Sequence, residues 1–349
     1  MRALLRKTIC LLVIAFLGAC GTPRNTPTPF TATAPATEPS RISGDEIATL
    51  KSLKKVDDHP LYTMQYFGEY APRETSLLPP AQKTNPVWAC SLFTTLVDEE
   101  HSLYGRNFDW QYSPALLLFT NPPDGYSSVS MVDMEYLGLS GQSFINLTDL
   151  PLEDIEALLQ APYLPFDGMN EHGLAIGMAA VPDGDMQADP SRETRGSLGI
   201  MREILDHARD VDEAVNIINE FNIDFEGGPP LHYLMADVKG KSVLVEFFLG
   251  EMKLTWNEQP WHFATNFLLA SVGNPREGGC WRYNRIDDRL KEKQGLLDAS
   301  SAMNLLAEVA QDNTQWSVVY QMSLGKVSVV MDRDYGEVHT FETLDHWDP

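Results

Sequence analysis

Cys90 is followed sixteen residues later by Arg106 and nineteen later by Asp109. A thiol attacks a carbonyl as its thiolate, and a nearby guanidinium favours that charged form. A carboxylate can hold an ammonium in place. The three residues lie in Ala89-Cys90-Ser91-Leu92-Phe93 and Leu103-Tyr104-Gly105-Arg106-Asn107-Phe108-Asp109-Trp110, with the polar stretch Asp98-Glu99-Glu100-His101-Ser102 between them. This pattern predicts a hairpin whose first strand starts at Cys90 and whose second returns Arg106 and Asp109 beside it. Histidine is the usual activator of such a thiol. His172, His232 and His262 are candidates, but none stands in a familiar cysteine-protease context. A second route needs no histidine. If the Ala89–Cys90 bond is cut, Cys90 acquires a free α-amine, which titrates at roughly 7.7–8.0 and can serve its own thiol as base.

The elements that must position these groups belong to a chain of 349 residues with the composition of a globular protein, 43% hydrophobic and 21% charged. Its net charge of -23 argues against binding the phosphates of nucleic acid. Residues 1–19 read as a signal peptide, with Arg2, Arg6 and Lys7 ahead of an apolar run too short to span a bilayer. Leu17-Gly18-Ala19-Cys20 resembles a lipobox, so Cys20 is expected to carry lipid and tether the protein outside the cytoplasm of a bacterial cell. Residues 20–41 are rich in Pro, Thr and Ala and read as that tether. Residues 42–89 form a structured segment ahead of the nucleophile, and 90–349 the catalytic domain. Of four cysteines, only Cys90 and Cys280 then remain to the folded part. A disulfide between them is the plain alternative for an exported chain.

Strand signals cover 61–67, 91–97, 102–110, 115–120, 127–136, 173–180, 231–238, 242–249, 253–256, 261–266, 317–322, 326–331 and 338–341. Helical signals cover 152–160, 198–208, 210–221, 284–290 and 299–309, with a short helical stretch at 47–50. This order argues an α+β fold with helices covering sheets. No Walker or dinucleotide glycine motif is present, and no cysteine/histidine spacing suits zinc.

At these residues the sequence resembles the choloylglycine hydrolase group of N-terminal nucleophile hydrolases, which includes bile salt hydrolases, penicillin V acylases and acid-ceramidase-like amidases. The resemblance runs from Cys90 to Phe341. Cys90, Arg106 and Asp109 match the group's nucleophile, arginine and aspartate. Gly168-Met169-Asn170-Glu171-His172-Gly173-Leu174 looks like its G-M-N-E-x-G-L segment, which implies an oxyanion role for Asn170 and makes Glu171 a further candidate. Thr265-Asn266 looks like the later T-N motif. Trp281-Arg282-Tyr283 resembles the segment carrying the last catalytic arginine, with Arg285 as the alternative. The stretch from Asn266 to Arg282 is short, as in acid ceramidases and unlike bile salt hydrolases. The long segment before Cys90 is also acid-ceramidase-like.

The resemblance implies an αββα sandwich of two antiparallel sheets between helical layers. It implies hydrolysis of a linear N-acyl amide without metal or organic cofactor, after self-cleavage at Ala89–Cys90. Two alternatives stand beside it. One is an acyltransferase or peptidase-family member on the same fold. The other is a non-catalytic binding lipoprotein with a Cys90–Cys280 disulfide.

Overall fold

The computed structural model describes residues 42–70, 89–98, 100–139, 146–225 and 227–343. The expectations for residues 1–41, the lipidated Cys20 included, lie outside the described residues. In chain order, α1 (Gly44–Lys51), β1 (Lys54–Asp57) and β2 (Leu61–Tyr66) precede β3 (Ala89–Leu96), β4 (Ser102–Asp109), β5 (Ala115–Thr120) and β6 (Ser128–Asp133). Next come β7 (Asp167–Asn170), β8 (Ala175–Ala180), β9 (Glu193–Gly196), α2 (Gly199–His207), α3 (Val211–Glu220) and β10 (Phe221–Asp224). A meander of β11 (Leu231–Ala236), β12 (Ser242–Phe248) and β13 (Glu251–Trp256) follows, and then β14 (Trp261–Ala264), which joins the other sheet. The described chain closes with α4 (Trp281–Lys293), α5 (Ala299–Glu308), β15 (Thr314–Gln321), β16 (Lys326–Met331) and β17 (His339–Glu342).

Two large sheets result. The first has nine strands in the order β1-β2-β5-β6-β7-β8-β11-β12-β13, and the second six in the order β14-β3-β4-β15-β16-β17. One apolar cluster fills the space between the sheets and continues beneath α2 and α3. A second lies between the six-stranded sheet and α4 and α5. This is the expected αββα sandwich. Within the two large sheets one described pair departs from the expected antiparallel pattern: β2 runs parallel to β5, Leu61 beside Ala115. The chain visits the other sheet through β3 and β4 between them, so no hairpin dictates their direction.

The expected β3–β4 hairpin forms, and its register sets Cys90 opposite Phe108 and Leu92 opposite Arg106. Side chains alternate along a strand, so Cys90 and Arg106 share the face turned to the nine-stranded sheet. Ser91, Asn107 and Asp109 share the face turned to the helices. Gly105 lies opposite Phe93, whose ring would sit 2.6 Å from any Cβ placed there.

Residues 42–70 are part of the sandwich. Ser43 and Glu46 form a reciprocal capping box that starts α1. Leu50, Leu53, Leu61, Tyr62, Met64 and Tyr66 are buried. His339 also bonds Asp57 across to the second sheet, at 2.7 Å.

Elsewhere the elements differ in detail from expectation. Residues 152–163 form two short 3-10 stretches, Leu152–Asp154 and Glu156–Tyr163, the second containing Pro162, which a regular helix interior disfavours. The four-residue strands β1, β7, β9 and β10 are too short to show a period of two. α4 starts at Trp281, three residues earlier than its apolar periodicity suggests.

Candidate active site

Cys90 is the second residue of β3, and four groups converge on it. Its thiol, on the inter-sheet face, lies 3.8 Å from Nη2 of Arg106. Its backbone N–H donates to Oδ1 of Asn266 at 2.5 Å. Its carbonyl accepts from Nη1 of Arg282. Asp109 closes the arrangement, with Oδ2 4.0 Å from Arg282 Nη1. The expected nucleophile, arginine, aspartate, later asparagine and later arginine therefore meet at one strand end.

Each partner is fixed by its own element. Arg106 is fully buried; Nε donates to the Met178 carbonyl at 3.1 Å and Nη1 to Oδ2 of Asp167 at 2.5 Å. Asn266 follows β14 and donates Nδ2 to the Ala180 carbonyl at the end of β8, at 2.7 Å. Arg282 stands in the first turn of α4, where a cation opposes the helix dipole by roughly 0.3–1 kcal/mol. Its acceptors offset this: the Cys90 carbonyl, Ser91 Oγ at 3.0 Å and Asn266 Oδ1 at 3.0 Å.

Arg285, the alternative, faces away. It is half exposed and lies 3.8 Å from Glu308. Arg282→Ala is therefore expected to lower turnover at least ~100-fold, the cost of losing an aligned charged donor, whereas Arg285→Ala should stay within about twofold. Initial rates of the two variants side by side check this; equal losses would remove Arg282 from the site.

Burial governs the titrations. It pushes the Cys90 thiol up from its ordinary value, and the Arg106 and Arg282 guanidiniums pull back while Asp109 pushes further. Burial also raises Asp109 to about 6, against the opposing Thr314 hydrogen bond and both arginines. Thr314 donates to Asp109 Oδ1 at 2.5 Å; Oδ2 is buried and accepts no hydrogen bond among the described residues. A carboxyl raised to about 6 is anionic above that pH and neutral below it. Any cleavage at Ala89–Cys90 that needs the Asp109 anion should slow as pH falls through about 6. A time course of fragment formation between pH 5 and 8 measures this, and a rate unchanged down to pH 5 would exclude the anion.

Two expected residues are not brought here. Asn170 ends β7, and its side chain is committed elsewhere. Nδ2 donates to the carbonyls of Leu205 at 3.1 Å and Ala208 at 2.7 Å, at the C-terminal end of α2, while Oδ1 accepts from the N–H groups of His172 and Leu174, both at 3.2 Å. Its own N–H bonds Leu174, beside the start of β8, whereas Asn266 engages Ala180 at the other end. Six residues at about 3.3 Å each put roughly 20 Å between them. The oxyanion role expected for Asn170 is therefore corrected to a structural one. Glu171 sits on the same distant turn, bonding Ser127 through its backbone, with His172 packed on Tyr126.

The other histidines are also remote in their contacts. His232 faces Glu246 at 3.4 Å, and His262 faces Ser242 Oγ at 3.1 Å, with burial holding its ring down at about 4. Cys90 and Cys280 are free thiols, Cys280 lying 3.3 Å from Thr265 Oγ1, so the disulfide alternative is corrected. Sequence reasoning missed Asp167, the carboxylate against Arg106. Its signal was an acidic residue inside a strand-like apolar stretch, just ahead of Gly168-Met169.

A model of linear amide C–N hydrolases, choloylglycine hydrolase family, matches residues 90–260. Two crystal structures of variants of conjugated bile acid hydrolase from Clostridium perfringens share the fold, with TM-scores of 0.53 and 0.51 at 15% and 14% identity. Each comparison covers 73% of this chain and 93% of the other. An uncharacterized protein of Paramecium bursaria Chlorella virus 1 is 31% identical over 108 residues, 29% of this chain; the match spans 38% of that relative's length.

Proposed function

Because this chain belongs to the linear amide C–N hydrolases of the choloylglycine hydrolase family, we propose that it hydrolyses N-acyl amides with Cys90 as nucleophile, after cutting its own Ala89–Cys90 bond. The observation that carries the reading is the bracketing of one residue: Arg106 at its thiol, Asn266 at its N–H and Arg282 at its carbonyl.

In the precursor, the Cys90 sulfur attacks the Ala89 carbonyl carbon. The C–N bond breaks, nitrogen takes the thiol proton, and a thioester joins Ala89 to the Cys90 sulfur. Water hydrolyses it, leaving a carboxylate on Ala89 and a free thiol and α-amine on Cys90. Asn266 Oδ1 already receives the nitrogen of Cys90, and the open Asp109 Oδ2 supplies charge for the new ammonium.

In turnover the thiolate attacks the acyl carbonyl of the substrate. Arg106 stabilises the sulfur anion, and the α-amine takes up the thiol proton and passes it to the leaving amine. An amide nitrogen carries two hydrogens. Asn266 Nδ2 spends one on Ala180 and holds the other for the oxyanion. Water then releases the acid.

The Cys20 lipid tether and an extracytoplasmic bacterial location are the setting we propose, supported by the basic, apolar and small-residue order of residues 1–20. The test of the activity is amine release from a panel of N-acyl amino acids, N-acyl ethanolamides, ceramide-like lipids, acyl homoserine lactones and penicillin V. At least one class should turn over with a signal lost in Cys90→Ala. Amine release from every class that is indifferent to Cys90 would overturn the reading.

A further inference from the structure

Arg106 alone does not determine where its charge points. A guanidinium is a planar fork of five donors, and its direction is set by the acceptors that hold it. Here two nitrogens are held. Nε donates to the Met178 carbonyl at 3.1 Å, and Nη1 to Asp167 Oδ2 at 2.5 Å. The face of the fork rests on Phe108, with Cζ 4.9 Å from the ring centroid. With plane and two donors held, Nη2 is turned to two sulfurs, that of Cys90 at 3.8 Å and that of Met178 at 3.9 Å.

Asp167 is in turn held by the Tyr320 hydroxyl, which donates to its Oδ1. Tyr320 packs edge-on to Tyr104, centroids 6.5 Å apart. Asp167, Arg106 and Tyr320 are all fully buried. They come from different layers: Asp167 opens β7 in the nine-stranded sheet, while Arg106 on β4 and Tyr320 on β15 belong to neighbouring strands of the six-stranded sheet.

Taking the nucleophile reading above as its base, we propose that Asp167 and Tyr320 are positioning residues: they set the direction of Arg106 across the sandwich so that Nη2 faces the Cys90 sulfur. The carboxylate touches neither substrate nor thiol in this scheme. Its negative charge by itself disfavours a nearby thiolate, so a benefit to the thiolate arises only through the aim of Arg106. That opposition of sign makes the proposal testable.

The experiment titrates Cys90 by its alkylation rate with iodoacetamide from pH 5 to 10, read by mass on the Cys90 peptide, in the full-length protein and in Asp167→Asn and Tyr320→Phe. Turnover is measured alongside. Loss of aim should move the thiol inflection to higher pH in both variants and lower kcat by ~10-fold or more, with KM within about twofold. An inflection that moves down in Asp167→Asn means that the carboxylate acts by its field alone, and overturns the proposal. Tyr320→Phe removes one hydroxyl and keeps the ring, so it serves if Asp167→Asn does not fold. An unmoved inflection in folded Tyr320→Phe overturns the proposal whatever turnover does. Failure of the nucleophile reading is seen separately, as hydrolysis surviving Cys90→Ala, because alkylation reports the thiol and not the reaction.

Discussion

Cys90→Ala is expected to leave the chain uncut between Ala89 and Cys90 and to abolish amide hydrolysis, whereas the unaltered protein should yield two fragments parted at that bond. The effect is large because one atom is asked to serve twice. Without Sγ there is no attack on the Ala89 carbonyl, so no α-amine is freed, and no nucleophile remains for the substrate. The surrounding groups cannot substitute. Arg106 and Arg282 are cations, Asn266 is neutral, and Asp109 accepts from Thr314 on its helix-side face. A loss of at least ~1,000-fold in turnover is the order expected when an activated nucleophile is removed. Intact mass of the purified protein reads the cut directly, and released amine reads the turnover. Fragments that persist in Cys90→Ala would assign the cut to another protease. Cys90→Ser separates the two duties. The hydroxyl can still attack its own held carbonyl slowly, while turnover on a diffusing substrate should fall sharply.

Removing residues 42–66 is expected to destroy the fold, and a cut at Ala89–Cys90 should not release this segment. Leu61, Tyr62, Met64 and Tyr66 on β2 are buried, as are Leu50 and Leu53 beside it. Burial of such side chains is worth roughly 1.5–3 kcal/mol each. Those on β2 alone approach the about 5–15 kcal/mol that stabilises a whole domain. Deletion would also bare the edge of β5, Ala115–Thr120, a fully buried and mostly apolar run now paired with β2. The deleted protein should be insoluble. In the cut protein both fragments should elute together in native buffer and separate only in denaturant. A segment that leaves on native size exclusion, with the remainder still folded and active, would refute this account.

How far the site could be read from the chain differs residue by residue. Cys90, Arg106 and Asp109 were legible because a hairpin converts spacing into registry: once β3 and β4 pair, residues 90 and 106 must share a face. Asn266 and Arg282 were legible through short motifs, whereas the place of Arg282 in the first turn of α4 came only with the structure. The choice between Arg282 and Arg285 was not legible, because only the packing of α4 on the six-stranded sheet decides which side of the helix meets Cys90. Asn170 was misplaced for a related reason. Its motif neighbours strand β8, and β8 does reach the site. Nothing local says that Asn170 lies at the end of that strand away from the thiol.

Asp167 and the segment 42–66 mark the same boundary from the other side. The carboxylate of Asp167 meets Arg106 across two sheets, and β2 joins β5 in parallel after an excursion through the opposite layer. By itself the sequence determined what depends on neighbours along the chain: strand faces, the β3–β4 turn and the order of the layers' parts. Backbone torsions and the alternation of apolar residues encode these locally. The tertiary structure alone decided which distant side chains converge on Cys90. That outcome depends on how two sheets stack and on where a buried guanidinium finds a carboxylate to balance it, and both are set by the packing of the whole sandwich.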